Sequence, residues 1–119
     1  MNRVIKNRFI RAVILGLLAL AVSSCLVVVS GPSHLNIANN SGYTLIRVYI
    51  SVHSSTVWGD DQLSPDVLTP GSVISYRVDP GYYDVMVIDS TLHENYAYDV
   101  RVTAGNTTTL YYTDTSLGL

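Results

Sequence analysis

Few residues of this 119-residue chain could carry out chemistry, and their spacing narrows the roles open to them. There is one cysteine, Cys25, and three histidines, His34, His53 and His93, too far apart in sequence to form a metal-ligand pattern. No Gly-x-Ser-x-Gly elbow, His-Glu-x-x-His helix or glycine-rich phosphate loop is present. Isolated histidines of this kind are expected on surfaces and strand edges. The carboxylates Asp60, Asp61, Asp66 and Asp89 could offer hard oxygen ligands to calcium, which makes a calcium-binding module one alternative. They lack the regular alternation and the glycine of a calcium loop, so a solvated acidic loop is expected and no metal site is assigned. A catalytic carboxylate pair such as Asp60 with Asp89 would have to be assembled by the fold. The expectation is a protein that is not an enzyme and needs no cofactor.

Cys25 has a different role open to it. Arg3, Lys6, Arg8 and Arg11 form a basic N-terminal cluster, and an uncharged apolar run from Ala12 to Val22 follows. Positive charge before an apolar core is the order of an export signal, with the charges held on the cytoplasmic side. Val22-Ser23-Ser24-Cys25 then resembles the lipobox of bacterial lipoproteins position by position. That resemblance implies cleavage between Ser24 and Cys25 and lipidation of the Cys25 thiol. Small residues let the strand lie close to a peptidase, and the thiol is the nucleophile that takes up the lipid.

Two other readings of this segment exist. An uncleaved membrane anchor from Ala12 to Val29 would sit at the lower limit of about 18 to 20 apolar residues for a spanning helix, and two serines dilute it. An ordinary secreted protein would leave a free thiol in an oxidising compartment. Each buried methylene of a lipid contributes about 0.8 kcal/mol, so two or three acyl chains anchor the protein without further membrane contact. Leu26 stands where an aspartate would resemble an inner-membrane retention signal. The expected location is therefore the outer membrane, facing the periplasm.

Beyond residue 25 the chain keeps Arg47, Arg77 and Arg101, has no lysine, and retains all nine acids, for a formal balance of −6. Such a surface repels phosphate backbones, so nucleic acid is not an expected partner. The absence of lysine also excludes Schiff-base chemistry. Residues 1–24 are read as signal peptide, 25–32 as a lipidated tether, and 33–119 as one domain, too short to divide in two.

Period-two alternation and strand-forming Val, Ile, Thr and Tyr make that domain all-β. Leu35 and Ile37 mark a short first strand, and Asn39-Asn40-Ser41-Gly42 is turn chemistry that predicts an opening hairpin. On the next strand, Thr44, Ile46, Val48, Ile50 and Val52 form the predicted core face, opposite Tyr43, Leu45, Arg47, Tyr49 and Ser51. Ile74, Tyr76 and Val78 face inward before a tight reversal at Asp79-Pro80-Gly81. Tyr83, Val85 and Val87 follow on one strand. Tyr96, Tyr98, Val100 and Val102 are expected inside on the next, with Ala97, Asp99 and Arg101 outside. Thr108, Leu110 and Tyr112 complete the pattern. Six to seven short strands hide their apolar faces by stacking, which predicts an immunoglobulin-like or prealbumin-like β-sandwich; a small barrel is the alternative.

The long connection from His53 to Gly71 holds the only tryptophan. Trp58, Leu63 and Leu68 are apolar anchors for a loop folded over a sheet edge, with Trp58 packed on the sandwich and Gly59 placed where a side chain would obstruct. Trp58, Asp60 and Asp61 are the candidate binding loop. Tyr43, Tyr49, Tyr82 and Tyr111 could form an aromatic platform, although tyrosine also fills strands for its packing alone.

Tyr49-Ile50-Ser51, Trp58-Gly59-Asp60, Leu68-Thr69-Pro70-Gly71 and Gly81-Tyr82-Tyr83-Asp84 together resemble a group of poorly characterised bacterial exported domains. The resemblance implies a small β-sandwich and brings no activity with it. The expected function is a non-catalytic binding domain tethered to the membrane through Cys25, for an envelope protein or a glycan. The alternative is a passive structural or assembly subunit of an envelope complex.

Overall fold

The computed structural model describes residues 31–119, so the expected signal peptide, the Val22-Ser23-Ser24-Cys25 segment that resembles a lipobox, and most of the expected tether lie outside the described residues. The strands are β1 (Ser33–Asn39), β2 (Leu45–Val52), β3 (Val73–Val78), β4 (Gly81–Asp89), β5 (Glu94–Val102), β6 (Thr107–Tyr112) and β7 (Leu117–Gly118). No helix occurs among the described residues. The expected all-β sandwich is present. One sheet has the order β3-β1-β6-β7 and the other β2-β4-β5.

The core lies where alternating apolar residues of the two sheets meet. Leu35, Ile37, Leu110 and Tyr112 from the first sheet pack in one cluster with Leu45, Val48, Val85, Val87, Val100 and Val102 from the second. Removing each of these side chains from water is worth about 1.5–3 kcal/mol, which is what holds the sheets together. Ile74, Tyr76 and Val78 face the same core but stay half-buried, because β3 is an edge strand.

The predicted opening hairpin is not formed. β1 pairs antiparallel with β3 and parallel with β6, whereas β2 pairs with β4 in the other sheet. Turn residues reverse a chain but do not choose the sheet it enters. The crossing is organised by Asn39, which is fully buried. Its Nδ2 donates to the carbonyls of Tyr43 (2.7 Å) and Leu68 (2.9 Å), and its Oδ1 accepts from Ser41 N (3.0 Å) and Ser41 Oγ (2.6 Å). The reversal at Asp79-Pro80 likewise carries the chain from one sheet to the other.

The predicted core face of β2 also needs correction. Leu45 pairs with Asp89 and Arg47 with Ile88, so Ile46 is the extra residue of a β-bulge. One added residue inverts the alternation. Leu45 and Val48 both become fully buried, while Ile46 is half-buried outside the core cluster and Val52 is exposed.

The loop after β2 covers the open edge of that strand, as expected of an ordered connection. Leu45 and Leu68 exchange two backbone hydrogen bonds of 2.9 Å, and Gln62 N donates to Val48 O at 2.7 Å. Asp61 Oδ1 accepts from Val48 N (3.0 Å) and Leu63 N (2.9 Å). Leu63 and Leu68 reach the core. An edge strand so capped has few free backbone groups left to pair with another chain.

Candidate functional site

The site is built on the outer face of the β2-β4-β5 sheet by a second bulge. Tyr83 pairs with Val100 and Val85 with Ala97, so Tyr98 and Asp99 together oppose Asp84. Asp99 adopts φ +58°, the left-handed conformation that a short polar side chain tolerates better than most. Asp84 Oδ1 accepts the Asp99 N–H at 2.9 Å and so satisfies a donor on the bulged strand.

This bulge overturns the expected inward placement of Tyr96 and Tyr98. Val100 and Val102 stay in the core, but before the extra residue the faces exchange, and Ala97 packs inward instead. Tyr98 is 61% exposed and Tyr96 40%. Their rings stack nearly parallel, 5° between planes and 5.7 Å between centroids. Trp58 joins them, its ring 6.0 Å from Tyr96 and tilted by 39°. Aromatic pairs at such separations are worth about 0.5–1.5 kcal/mol beyond area burial. The Tyr96 hydroxyl donates to Glu94, which restrains the middle ring.

Trp58 is thus half-buried against the sandwich, on its outer face. Gly59 beside it has φ +80°, with open space where a Cβ would stand. Its role is conformational, and the expected obstruction by a close backbone is absent.

Trp58 and Tyr98, the two end rings, border a hollow of about 240 Å³ whose wall also includes Ser51, Ser55, Thr56, Val57 and Asp84. A second hollow, of about 440 Å³, is lined by Val52, His53, Ser54, Tyr82 and Asp99. His53 links them: its Nδ1 lies 2.6 Å from Asp84 Oδ1, and its Nε2 3.9 Å from Asp99 Oδ1. The hydrogen bond to Asp84 raises the His53 pKa; burial opposes it, and the charges of Asp84 and Asp99 add to it. Burial pushes the Asp84 carboxyl up, but the Asp99 N–H and His53 outweigh it and leave its pKa below the ordinary value. Both contacts use Oδ1, and among the described residues Asp84 Oδ2 has no partner.

The candidate binding loop therefore divides. Trp58 lines the hollow, Asp60 is exposed, and Asp61 spends Oδ1 on backbone N–H groups. The four-tyrosine platform is not assembled, because Tyr111 belongs to the opposite sheet from Tyr49 and Tyr82. Asp89 is sealed in the interior and unavailable to pair with Asp60 in catalysis. Among the described residues no three His, Cys, Asp or Glu side chains converge to hold a metal ion.

Sequence reasoning missed Asp84, His53, Tyr96 and Tyr98 as a group. One signal was available: Asp84 and Asp99 are strand-disfavoured residues inside strong strand runs, which marks a bulge. The resembling segments carried another, since Ser51, Trp58 and Asp84 come from three of the four and line one hollow.

No protein-family model matches the chain, and no curated protein aligns with it significantly. Among solved structures, the NMR structure of a protein from Eubacterium rectale is similar, with a TM-score of 0.56 and 12% identity over 74% of this chain and 87% of that one. At that identity the likeness is one of fold alone.

Proposed function

We propose that this protein is a lipid-anchored lipoprotein of the bacterial cell envelope, and that its β-sandwich is a non-catalytic binding module working through the Trp58-Tyr96-Tyr98 face. The observation that carries the binding reading is the surface aromatic row, two exposed tyrosines and a half-buried tryptophan, beside a walled hollow. The core is complete without these rings, so folding alone does not account for three large aromatics gathered at the surface. Such residues supply much contact area for little lost rotamer freedom, which is why tryptophan and tyrosine dominate binding hot spots. Support for the anchor comes from the basic cluster, the apolar run and Val22-Ser23-Ser24-Cys25. Outer-membrane location facing the periplasm follows from the same reading, with Leu26 after the cysteine.

Two measurements test the proposal. Intact mass spectrometry is expected to find a lipid-modified Cys25 as the mature N-terminus, and Cys25→Ser is expected to release the protein from the membrane fraction. An unmodified Met1 terminus would end the lipoprotein reading. For the binding face, wild-type protein and a Tyr98→Ala variant are used to capture partners from envelope extracts. A partner captured by the first and lost with the second is expected; identical captured sets would remove the face from consideration.

A further inference from the structure

We propose that the hollow between Trp58 and Tyr98 receives a cationic side chain of a basic partner protein, a lysine ammonium or an arginine guanidinium, with Asp84 as its counter-charge. The proposal rests on the binding-module reading and names the chemistry of the partner. Size is the first argument. At about 240 Å³ the hollow falls below the ~300 Å³ where pockets for drug-sized ligands begin, so it suits one side chain.

Its walls are the second. Trp58 and Tyr98 present aromatic surfaces, whose negative faces attract cations, and Asp84 contributes a carboxylate whose Oδ2 has no partner among the described residues. Two serine hydroxyls of the wall have their protons already used. Ser51 Oγ donates to Val57 O at 2.8 Å, and Ser55 Oγ to the same carbonyl at 3.1 Å. This part of the wall therefore offers acceptors, which suits a ligand that brings several N–H groups.

Charge complementarity is the third. Residues 31–119 contain no lysine, and Arg47, Arg77 and Arg101 line neither hollow. Asp99 lines the neighbouring hollow with Tyr82, which extends the acidic and aromatic character along the groove. The one cationic side chain lining either hollow is His53, set between Asp84 and Asp99, so the carboxylates outnumber it and a basic segment still meets net negative charge there.

The test uses the full-length lipidated protein in detergent micelles, titrated with a short lysine peptide, an arginine peptide, the same lysine peptide with its side chains acetylated, and a neutral oligosaccharide, while Trp58 fluorescence is followed. The two cationic peptides are expected to bind and the acetylated one to lose at least tenfold in affinity. Asp84→Asn is expected to weaken cation binding at least tenfold, whereas Asp79→Asn, at an exposed acid outside both hollows, leaves it unchanged. Because Asp84 also holds the bulge N–H, Tyr98→Leu supplies an independent variant at an exposed side chain, again with a tenfold loss. Equal binding of the acetylated peptide, or equal losses from Asp79→Asn and Asp84→Asn, overturns the proposal. Binding of the oligosaccharide alone, abolished by Tyr98→Leu, overturns the cation assignment and leaves the binding face standing. Failure of every probe overturns the cation assignment, while partner capture that depends on Tyr98 would still uphold the face.

Discussion

Asp84 and Asp89 lie five residues apart on β4, face opposite sides of the sheet, and end up with different roles. Asp89 is 1% exposed and fully engaged. Its Oδ1 accepts from Thr91 N (2.9 Å), Thr91 Oγ1 (2.6 Å) and His93 N (3.1 Å), and its Oδ2 from the Tyr112 hydroxyl at 2.7 Å. One set of bonds closes the β4–β5 turn; the other ties this sheet to β6 of its partner. Asp84 is engaged through Oδ1 only and borders a hollow. The comparison shows that a carboxylate's role here depends on how many protons the fold directs at it. Saturated, it is a structural joint; half-satisfied and within reach of solvent, it has capacity left for a ligand.

Removing Asp89 tests this contrast most strongly. Asp89→Ala leaves two backbone N–H groups and the Tyr112 hydroxyl without their acceptor, and is expected to cost about 3 kcal/mol in urea unfolding. Asp84→Ala is expected to cost less than about 1 kcal/mol by the same measurement. Equal costs would break the distinction.

Acid titration sharpens it. Burial raises the Asp89 pKa, but its hydrogen bonds from Thr91, Tyr112 and His93 prevail and bring it from 3.8 to about 2. A group whose folded pKa is depressed contributes stability above its unfolded pKa and loses it as pH falls through the folded one. Thermal melts are therefore expected to show a loss of about 1 to 2 kcal/mol between pH 4 and pH 2. Asp89→Asn is expected to flatten that part of the curve.

Next in size is Tyr112→Phe, which keeps the buried ring and deletes the hydroxyl that spans the sheets. Burial raises the Tyr112 pKa to about 12, with the hydrogen bond to Asp89 adding to it, so the hydroxyl stays protonated and donating throughout the physiological range. Its loss is expected to cost about 1–2 kcal/mol, the range for a bond to a charged acceptor.

The smallest stability effect is expected at His53, the partner of Asp84. Asp84→Asn removes the chief cause of the raised His53 pKa, so NMR titration of the imidazole is expected to show a downward shift while the melting temperature barely moves. In the wild type, His53 stays protonated to a higher pH than a free histidine. The favourable pairing is then complete below the unfolded histidine pKa and fades as pH rises through the folded one. An unchanged His53 titration in the variant would dissolve the Asp84–His53 pair.

The amino-acid pattern alone was enough for the class of fold, the alternating core residues Leu35, Ile37, Val85, Val87, Leu110 and Tyr112, and the anchoring of the long loop through Leu63 and Leu68. These are local properties: strand propensity and period-two burial are written residue by residue, and apolar residues in a loop must be covered wherever it lies. Only the tertiary structure decided which strands share a sheet, because the turn at Asn39-Asn40-Ser41-Gly42 contains no record of the partner strand. Tertiary pairing likewise decided the two bulges, at Ile46 and at Asp99. A single residue inserted against a partner strand reverses every face on one side of it, and so Tyr96 and Tyr98 emerged on the surface beside Trp58.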